Sequence, residues 1–205
     1  MEIHLKNIGR RFNRDWIFRN VSYSFNKGES YAILGRNGSG KSTMLQIIAG
    51  SLSPSEGVVD VKASGNQIDG DDFYQSISIA APYLELIEEF SLGEMIDFHF
   101  GFKPYVKGLN KESILDLLEL KTSRNKAIKY FSSGMKQRTK LALAMCSDTD
   151  VLLLDEPASN LDAEAIKWYR QLIVNYTRDK LLIVCSNQQQ EYEFCNHELL
   201  ISDYK

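Results

Sequence analysis

The chain has 205 residues, 43% of them hydrophobic and 25% charged, with a net charge of −3, which suits one well-cored domain and is too short for two of full size. Its apolar runs fall far short of the ~20 residues that cross a bilayer, and the opening MEIHLKNIGRRF has neither a signal core nor a cleavage site, so a cytoplasmic protein is expected. Three cysteines (Cys146, Cys185, Cys195) show no paired metal spacing and their odd count argues against a disulfide framework, and the lack of long like-charge blocks leaves no electrostatic footprint for nucleic acid, which is not expected as a partner.

The first strand signals are VSYSF (21–25) and SYAIL (30–34). GRNGSGKST (35–43) follows directly and fits G-x-x-x-x-G-K-[ST] through Gly35, Gly40, Lys41 and Ser42. A strand runs into this loop, and a helical pattern over Ser42–Ala49 runs out of it. Backbone N–H groups of Gly35, Arg36, Asn37, Gly38, Ser39 and Gly40, with Thr43 at the helix start, can wrap phosphates, and the helix N-terminus adds partial positive charge. In such a loop Lys41 neutralises β- and γ-phosphate oxygens and the Ser42 hydroxyl ligates Mg²⁺. The ligands expected are therefore a nucleotide and Mg²⁺.

Further strands are predicted at GVVDV (57–61) and SISIAA (76–81). The runs near the N-terminus alternate and predict an antiparallel edge to the main sheet. From Leu84 to Ser132 there are helical patches and no convincing strand. This reads as a helical subdomain inserted at about 84–140 within a single domain over 1–205, with helical periodicity at Lys111–Leu120 and Lys136–Met145. FSSGMKQR (131–138) opens the second of these helices: Ser132 or Ser133 is a good N-cap, and Gly134 permits close backbone approach, so this helix start is a second anion site. Capping alone does not call for a glycine in a first turn, where it lowers helix propensity.

VLLLD (151–155) and LLIVCS (181–186) are near-continuous apolar runs, the habit of strands buried on both faces of a parallel sheet. The first ends in Asp155 and Glu156. An Asp at that strand end can hold the Mg²⁺ shell, and the Glu after it can take a proton from an attacking water. A helix over Ala163–Tyr176 and a last strand at ELLIS (198–202) complete an α/β pattern wound around a mainly parallel sheet.

With these segments the chain resembles the nucleotide-binding subunit of an ATP-binding cassette (ABC) transporter over nearly its whole length. GRNGSGKS resembles the Walker A loop, VLLLDE the Walker B strand, SNLD (159–162) the D-loop, and FSSGMKQR the signature usually written L-S-G-G-Q-x-Q-R. The resemblance implies a P-loop ABC ATPase fold and a head-to-tail dimer, of like or unlike ATPase subunits, around two ATP. Ser132, Ser133, Gly134 and Met135 of one subunit would then close over the γ-phosphate held by the other. It also implies a separate integral-membrane transporter subunit and a place on the inner face of the cell membrane. Phe12 stands where the family stacks an aromatic ring on adenine, and Trp16 is a weaker candidate.

Two family switches are altered. Tyr83 stands where a Gln usually touches Mg²⁺ and the attacking water, and Asn187 where a His usually meets the γ-phosphate. Asn187 can donate a hydrogen bond but brings no charge, so a slow but real ATPase is expected. His197 lies too far along to replace it and reads as structural. Six aromatics (Tyr83, Phe90, Phe98, Phe100, Phe102, Tyr105) lie in or beside the region that in the family receives a short helix of the membrane subunit. One or two of them are expected at that surface and the rest in packing.

The alternative is a soluble ABC ATPase acting on nucleic acid or ribosomes. Such proteins carry two cassettes or a long coiled coil between the Walker motifs, and this chain has neither. An ordinary P-loop kinase or GTPase has no role for the signature, and NKAI (125–128) lacks the Asp of a base-reading N-K-x-D motif.

Overall fold

The structure is a computed structural model that describes residues 1–70 and 72–205. Its first half comprises β1 (Glu2–Phe12), β2 (Asp15–Asn26), β3 (Ser30–Leu34), α1 (Lys41–Ile48), β4 (Glu56–Ala63), β5 (Asn66–Gln67), α2 (Gly70–Ser76), β6 (Ile77–Ala80) and α3 (Leu92–Phe102). The second half continues with α4 (Lys111–Leu118), α5 (Ser133–Met145), β7 (Val151–Asp155), α6 (Ala163–Tyr176), β8 (Leu181–Ser186), α7 (Gln189–Tyr192) and β9 (His197–Leu200).

Five strands form a parallel sheet in the order β6-β7-β8-β3-β9. Strands β7 and β8 are buried at every position, as expected of central strands covered on both faces. The antiparallel pairs form a four-stranded sheet of their own, β2-β1-β4-β5, rather than an edge of the parallel one. Ile3, Leu5, Ile8, Phe18 and Phe25 from that sheet pack with Met44, Leu45 and Ile48 of α1 and with Ile33, Leu153 and Ile183 of the parallel sheet. The opposite face of the parallel sheet packs on Leu141 and Met145 of α5 and on Tyr169, Leu172 and Ile173 of α6.

β1 has no counterpart in the sequence reading. Its register with β2 shifts between Leu5 and Ile8 and again before Arg10 and Arg11, and Asn7 takes φ 51°. Such irregularities break the two-residue period by which a half-buried strand is recognised. The last strand also differs from ELLIS, because β9 ends at Leu200 and Ile201–Tyr204 turn into a 3₁₀ helix.

Between Ala80 and Val151 the described residues carry α3, α4, α5 and two 3₁₀ turns, with isolated bridges but no further strand. Capping boxes start the first two helices, Ser91 with Glu94 on α3 and Asn110 with Ser113 on α4. Their apolar faces meet in a separate cluster with Ile96, Ile114, Leu118, Ile128 and Leu143. The three thiols are unpaired: Cys146 and Cys185 are buried and Cys195 is partly so.

His99, on the inner side of α3, shares a 2.9 Å hydrogen bond with Ser147 Oγ, which donates to the Leu143 carbonyl at 2.8 Å. Burial, and then the Lys103 charge, lower its pKa to about 4. An unfolded chain therefore takes this proton first, near pH 6.5, so the folded state loses stability as pH falls from about 6.5 towards 4. The loss attached to His99 is on the order of 2–3 kcal/mol. Thermal melts of the native protein and of His99→Gln over that range are expected to show a shallower decline in the variant; parallel curves would remove His99 as a cause.

Candidate functional site

β3 delivers the chain to the turn 35–40, and α1 begins at Lys41 behind Gly40. Gly40 takes φ +106°, and a Cβ there would lie 2.4 Å from Ile17 Cγ2 on β2, so only glycine lets the loop lie against the hairpin. No side chain caps α1. The N–H groups of its first turn are free to bind an anion. Ser39 is buried and its hydroxyl has no partner, while Arg36, Asn37 and Gly38 are exposed on the turn and Ser42 and Thr43 are part-buried. Lys41 is 5% exposed, and its ammonium donates to the carbonyls of Gly35 at 2.8 Å and Arg36 at 3.4 Å.

Two strands away, β7 ends in Asp155, which is 1% exposed, with Oδ1 buried and unpartnered. Burial raises its pKa; the Ser42 hydroxyl and the Lys41 charge oppose that rise, and Glu156 adds to it. An orphaned buried carboxylate oxygen is costly unless something positive meets it. With the Ser42 hydroxyl beside it, the donor set is hard oxygen, and among the described residues no cluster of three or more His, Cys, Asp or Glu could hold a metal by itself. These residues fit Mg²⁺, which binds through one or two protein oxygens together with phosphate and water. Glu156 follows with φ 44°, a left-handed conformation that costs a non-glycine residue ~1–2 kcal/mol. Its N–H donates to the Cys185 carbonyl of β8 at 2.9 Å.

Strand β8 lies between β7 and β3, so the residues after it emerge between the acidic strand end and the phosphate loop. Asn187 Nδ2 donates to Asn37 Oδ1 at 2.9 Å and so joins the phosphate turn directly. Tyr83 follows β6 and is 41% exposed; burial of its phenol and the nearby Asp155 charge push its pKa up to about 12, against a hydrogen bond with Gln46. The ring therefore stays neutral beside the carboxylate. His197 opens β9, stacks on Tyr31 at 4.8 Å and reaches Glu29 at 3.3 Å, remote from this group.

Phe12 ends β1 at the hairpin tip, 47% exposed, with the Arg10 guanidinium 4.5 Å above its ring. Trp16 is partly buried and engaged by Arg19 at 4.1 Å and Arg11 at 5.6 Å. The tip is continuous with the phosphate loop through Ile17 and Phe18, which pack on Gly40.

The second helix start lies apart. Ser132 caps α5 by accepting from the Met135 N–H at 3.2 Å, and Ser133 begins the helix. A Cβ on Gly134 would lie 3.2 Å from the Asn160 carbonyl, tighter than ordinary contact, so the glycine eases the approach of this first turn to that loop. Ser132, Gly134 and Met135 line a cavity of about 460 Å³ together with Asn160, Asp162 and Trp168, and no residue of 35–43 borders it. Of the six aromatics, Tyr83, Phe98 and Phe102 are exposed, whereas Phe100 stacks on Tyr105 at 3.7 Å.

Three residues here were not singled out from sequence. Gln137, buried on α5, donates to the Pro157 carbonyl at 2.8 Å. Glu191 on α7 is fully buried, and burial raises its pKa against the hydrogen bonds from Ser186 and Ala158. Tyr74 of α2 joins Phe98 and Phe102. Gln137 falls in the quoted signature; nothing in QQQEYE separates Glu191 from Glu193, and Tyr74 lies far from the other two in sequence.

A family model described as ABC transporter matches residues 18–159. Among curated proteins, the uncharacterized ABC transporter ATP-binding protein YcbN of Bacillus subtilis is 33% identical over 76% of this chain; the aligned region spans about half of YcbN (51%). The taurine import ATP-binding protein TauB of Jannaschia sp. is 29% identical over 96% of this chain and 76% of its own length. Among solved structures, the dimeric bacterial ABC transporter cassette MJ0796 superposes with a TM-score of 0.80 at 23% identity, covering 97% of this chain and 94% of that one. The same cassette in a post-hydrolysis dimer bound to ADP and Pi superposes at 0.81 with 24% identity, covering 97% and 93%. With more than half of its residues inside the family match, the chain belongs to the ABC transporter family, as one of its ATP-binding ATPases.

Proposed function

We propose that this chain is the ATP-hydrolysing subunit of an ABC transporter, that it closes head to tail with a second cassette around two ATP, and that closure drives a separate integral-membrane subunit from the inner face of the membrane. The observation that carries the reading is the separation of the two helix starts: Ser132 and Gly134 line a cavity that no phosphate-loop residue borders. Within one copy the two anion sites face different spaces, and a second cassette brings them together. The dimeric relative and the taurine-import relative support this reading.

The roles follow from chemistry and position. The free N–H groups of α1 and Lys41 hold the β- and γ-phosphates. Ser42 and Asp155 hold Mg²⁺, which neutralises phosphate charge when bound. Glu156, next to Asp155, accepts the proton of the attacking water. Asn187, fixed to Asn37, donates to the γ-phosphate, and Tyr83 stands by Asp155 as a neutral hydroxyl. The partner's Ser132, Ser133, Gly134 and Met135 contribute a second helix N-terminus to the same phosphate. Phe12, the more exposed ring at the hairpin tip, stacks on the base. For the membrane subunit, Tyr74, Phe98, His99 and Phe102 line a cavity of about 280 Å³ on the surface of α2 and α3. Exposed aromatics beside a cavity suit an inserted apolar helix.

Glu156→Gln is expected to cut hydrolysis by about 100-fold or more and to trap an ATP-dependent dimer, read by size-exclusion chromatography as a doubling of mass with ATP but not with ADP. A variant that stays monomeric at high concentration with saturating ATP would reject the homodimer and require an unlike partner cassette. Replacing Phe98 and Phe102 together by Ala is expected to abolish co-purification with the membrane subunit while ATP still dimerises the chain in the Glu156→Gln background. Undiminished co-purification would place the docking surface elsewhere.

A further inference from the structure

Glu191 is the most buried carboxylate among the described residues, at 0% exposure, and lies on the short helix α7. Both of its oxygens are used. Oε1 accepts from the Ala158 N–H at 2.8 Å, and Oε2 accepts from the Ser186 hydroxyl. Its own carbonyl accepts from the Tyr169 hydroxyl of α6 at 3.0 Å, which fixes α7 from behind.

Its two side-chain partners belong to different loops. Ala158 lies two residues after Glu156, in the loop whose Pro157 carbonyl accepts from Gln137 of the signature helix and whose Asn160 carbonyl abuts Gly134. Ser186 ends β8 and immediately precedes Asn187, whose amide is bonded to Asn37 of the phosphate turn. The Ser186 hydroxyl also accepts from the Gln188 N–H at 2.8 Å, which shapes the turn that carries Asn187. One buried carboxylate thus clamps the loop after the acidic strand to the loop after its neighbour.

We propose that Glu191 is a positioning residue for ATP hydrolysis: by bridging Ala158 N–H and the Ser186 hydroxyl it holds Glu156 and Asn187 in one frame and links that frame to the signature helix through Pro157. It touches neither substrate nor metal. The inference rests on the ATPase reading above and concerns how that site is held.

The distinguishing readout is the separation of kcat from KM. The phosphate loop is built without Glu191, so Glu191→Ala is expected to lower kcat by about ten- to a hundred-fold and to leave KM for ATP within roughly three-fold. Glu191→Gln is expected to recover most of kcat, because its amide oxygen still accepts from Ala158 N–H and its amide N–H can donate to Ser186 Oγ. In the Asn187→Ala background Glu191→Ala should cost less than it does alone, since one group it orients is gone. Unchanged kcat in a folded Glu191→Ala, a rise confined to KM, failure of Gln to restore kcat, or strictly multiplicative losses in the double variant would each overturn the proposal. Should Glu191→Ala not fold, Ser186→Ala takes its place. It removes only the hydroxyl facing Oε2, and it must lower kcat several-fold, sub-multiplicatively with Asn187→Ala, or the proposal falls. If the native protein itself hydrolyses no ATP, the ATPase reading fails, an outcome distinct from any of these.

Discussion

A carboxylate drawn out of water at the end of a fully buried strand sets the terms for its surroundings. β7 is flanked on both edges by parallel neighbours, and Asp155 at its tip keeps an oxygen without a hydrogen-bond partner. That oxygen is tolerable only where positive charge can be brought to it. From the phosphate-loop side the Ser42 hydroxyl and the Lys41 charge act on that carboxyl, and the left-handed Gly40 lets the loop settle against β2. The strand order then decides what else reaches this point. Because β8 runs between the two functional strands, its trailing residues have no path except between the phosphate turn and the acidic tip.

The loop from Glu156 to Asn160 is held at several points. Its first residue occupies a conformation unfavourable for a side chain larger than glycine. Such strain persists only when neighbouring contacts over-determine it. Here Cys185, Gln137 and Glu191 each fix a different point of the loop. Gln137 joins α5 to this loop through its side-chain hydrogen bond to the Pro157 carbonyl, a contact in which no residue of the phosphate loop takes part.

What could be read from sequence was what is contiguous. The phosphate loop, the acidic strand end and the serine-capped helix start are each fewer than ten residues long, and the physics that makes them recognisable acts inside that span. α6 was legible to its end residues because Ala165, Tyr169, Leu172 and Ile173 repeat on one face and Asp162 caps its start. β1 was not, since bulges at Asn7 and beyond destroy the alternation. Glu191 was hidden for another reason. Its partners are 33 and 5 residues away, and nothing within its polar run marks it for burial. The Tyr74–Phe98–Phe102 surface likewise joins two helices separated by a strand, so Tyr74 lay outside the aromatic segment that the sequence made conspicuous.

The three unpaired thiols have a practical consequence. Burial pushes Cys146 and Cys195 up to about 12, and it pushes Cys185, sealed under the backbone of Lys41, well above its ordinary value. The thiolate is the form that attacks an alkylating reagent, and at neutral pH these sulfurs hold almost none. A reporter cysteine introduced on the surface would therefore take up a maleimide dye ahead of the native three, so distances between moving parts can be followed by fluorescence without first stripping the chain of its own sulfur.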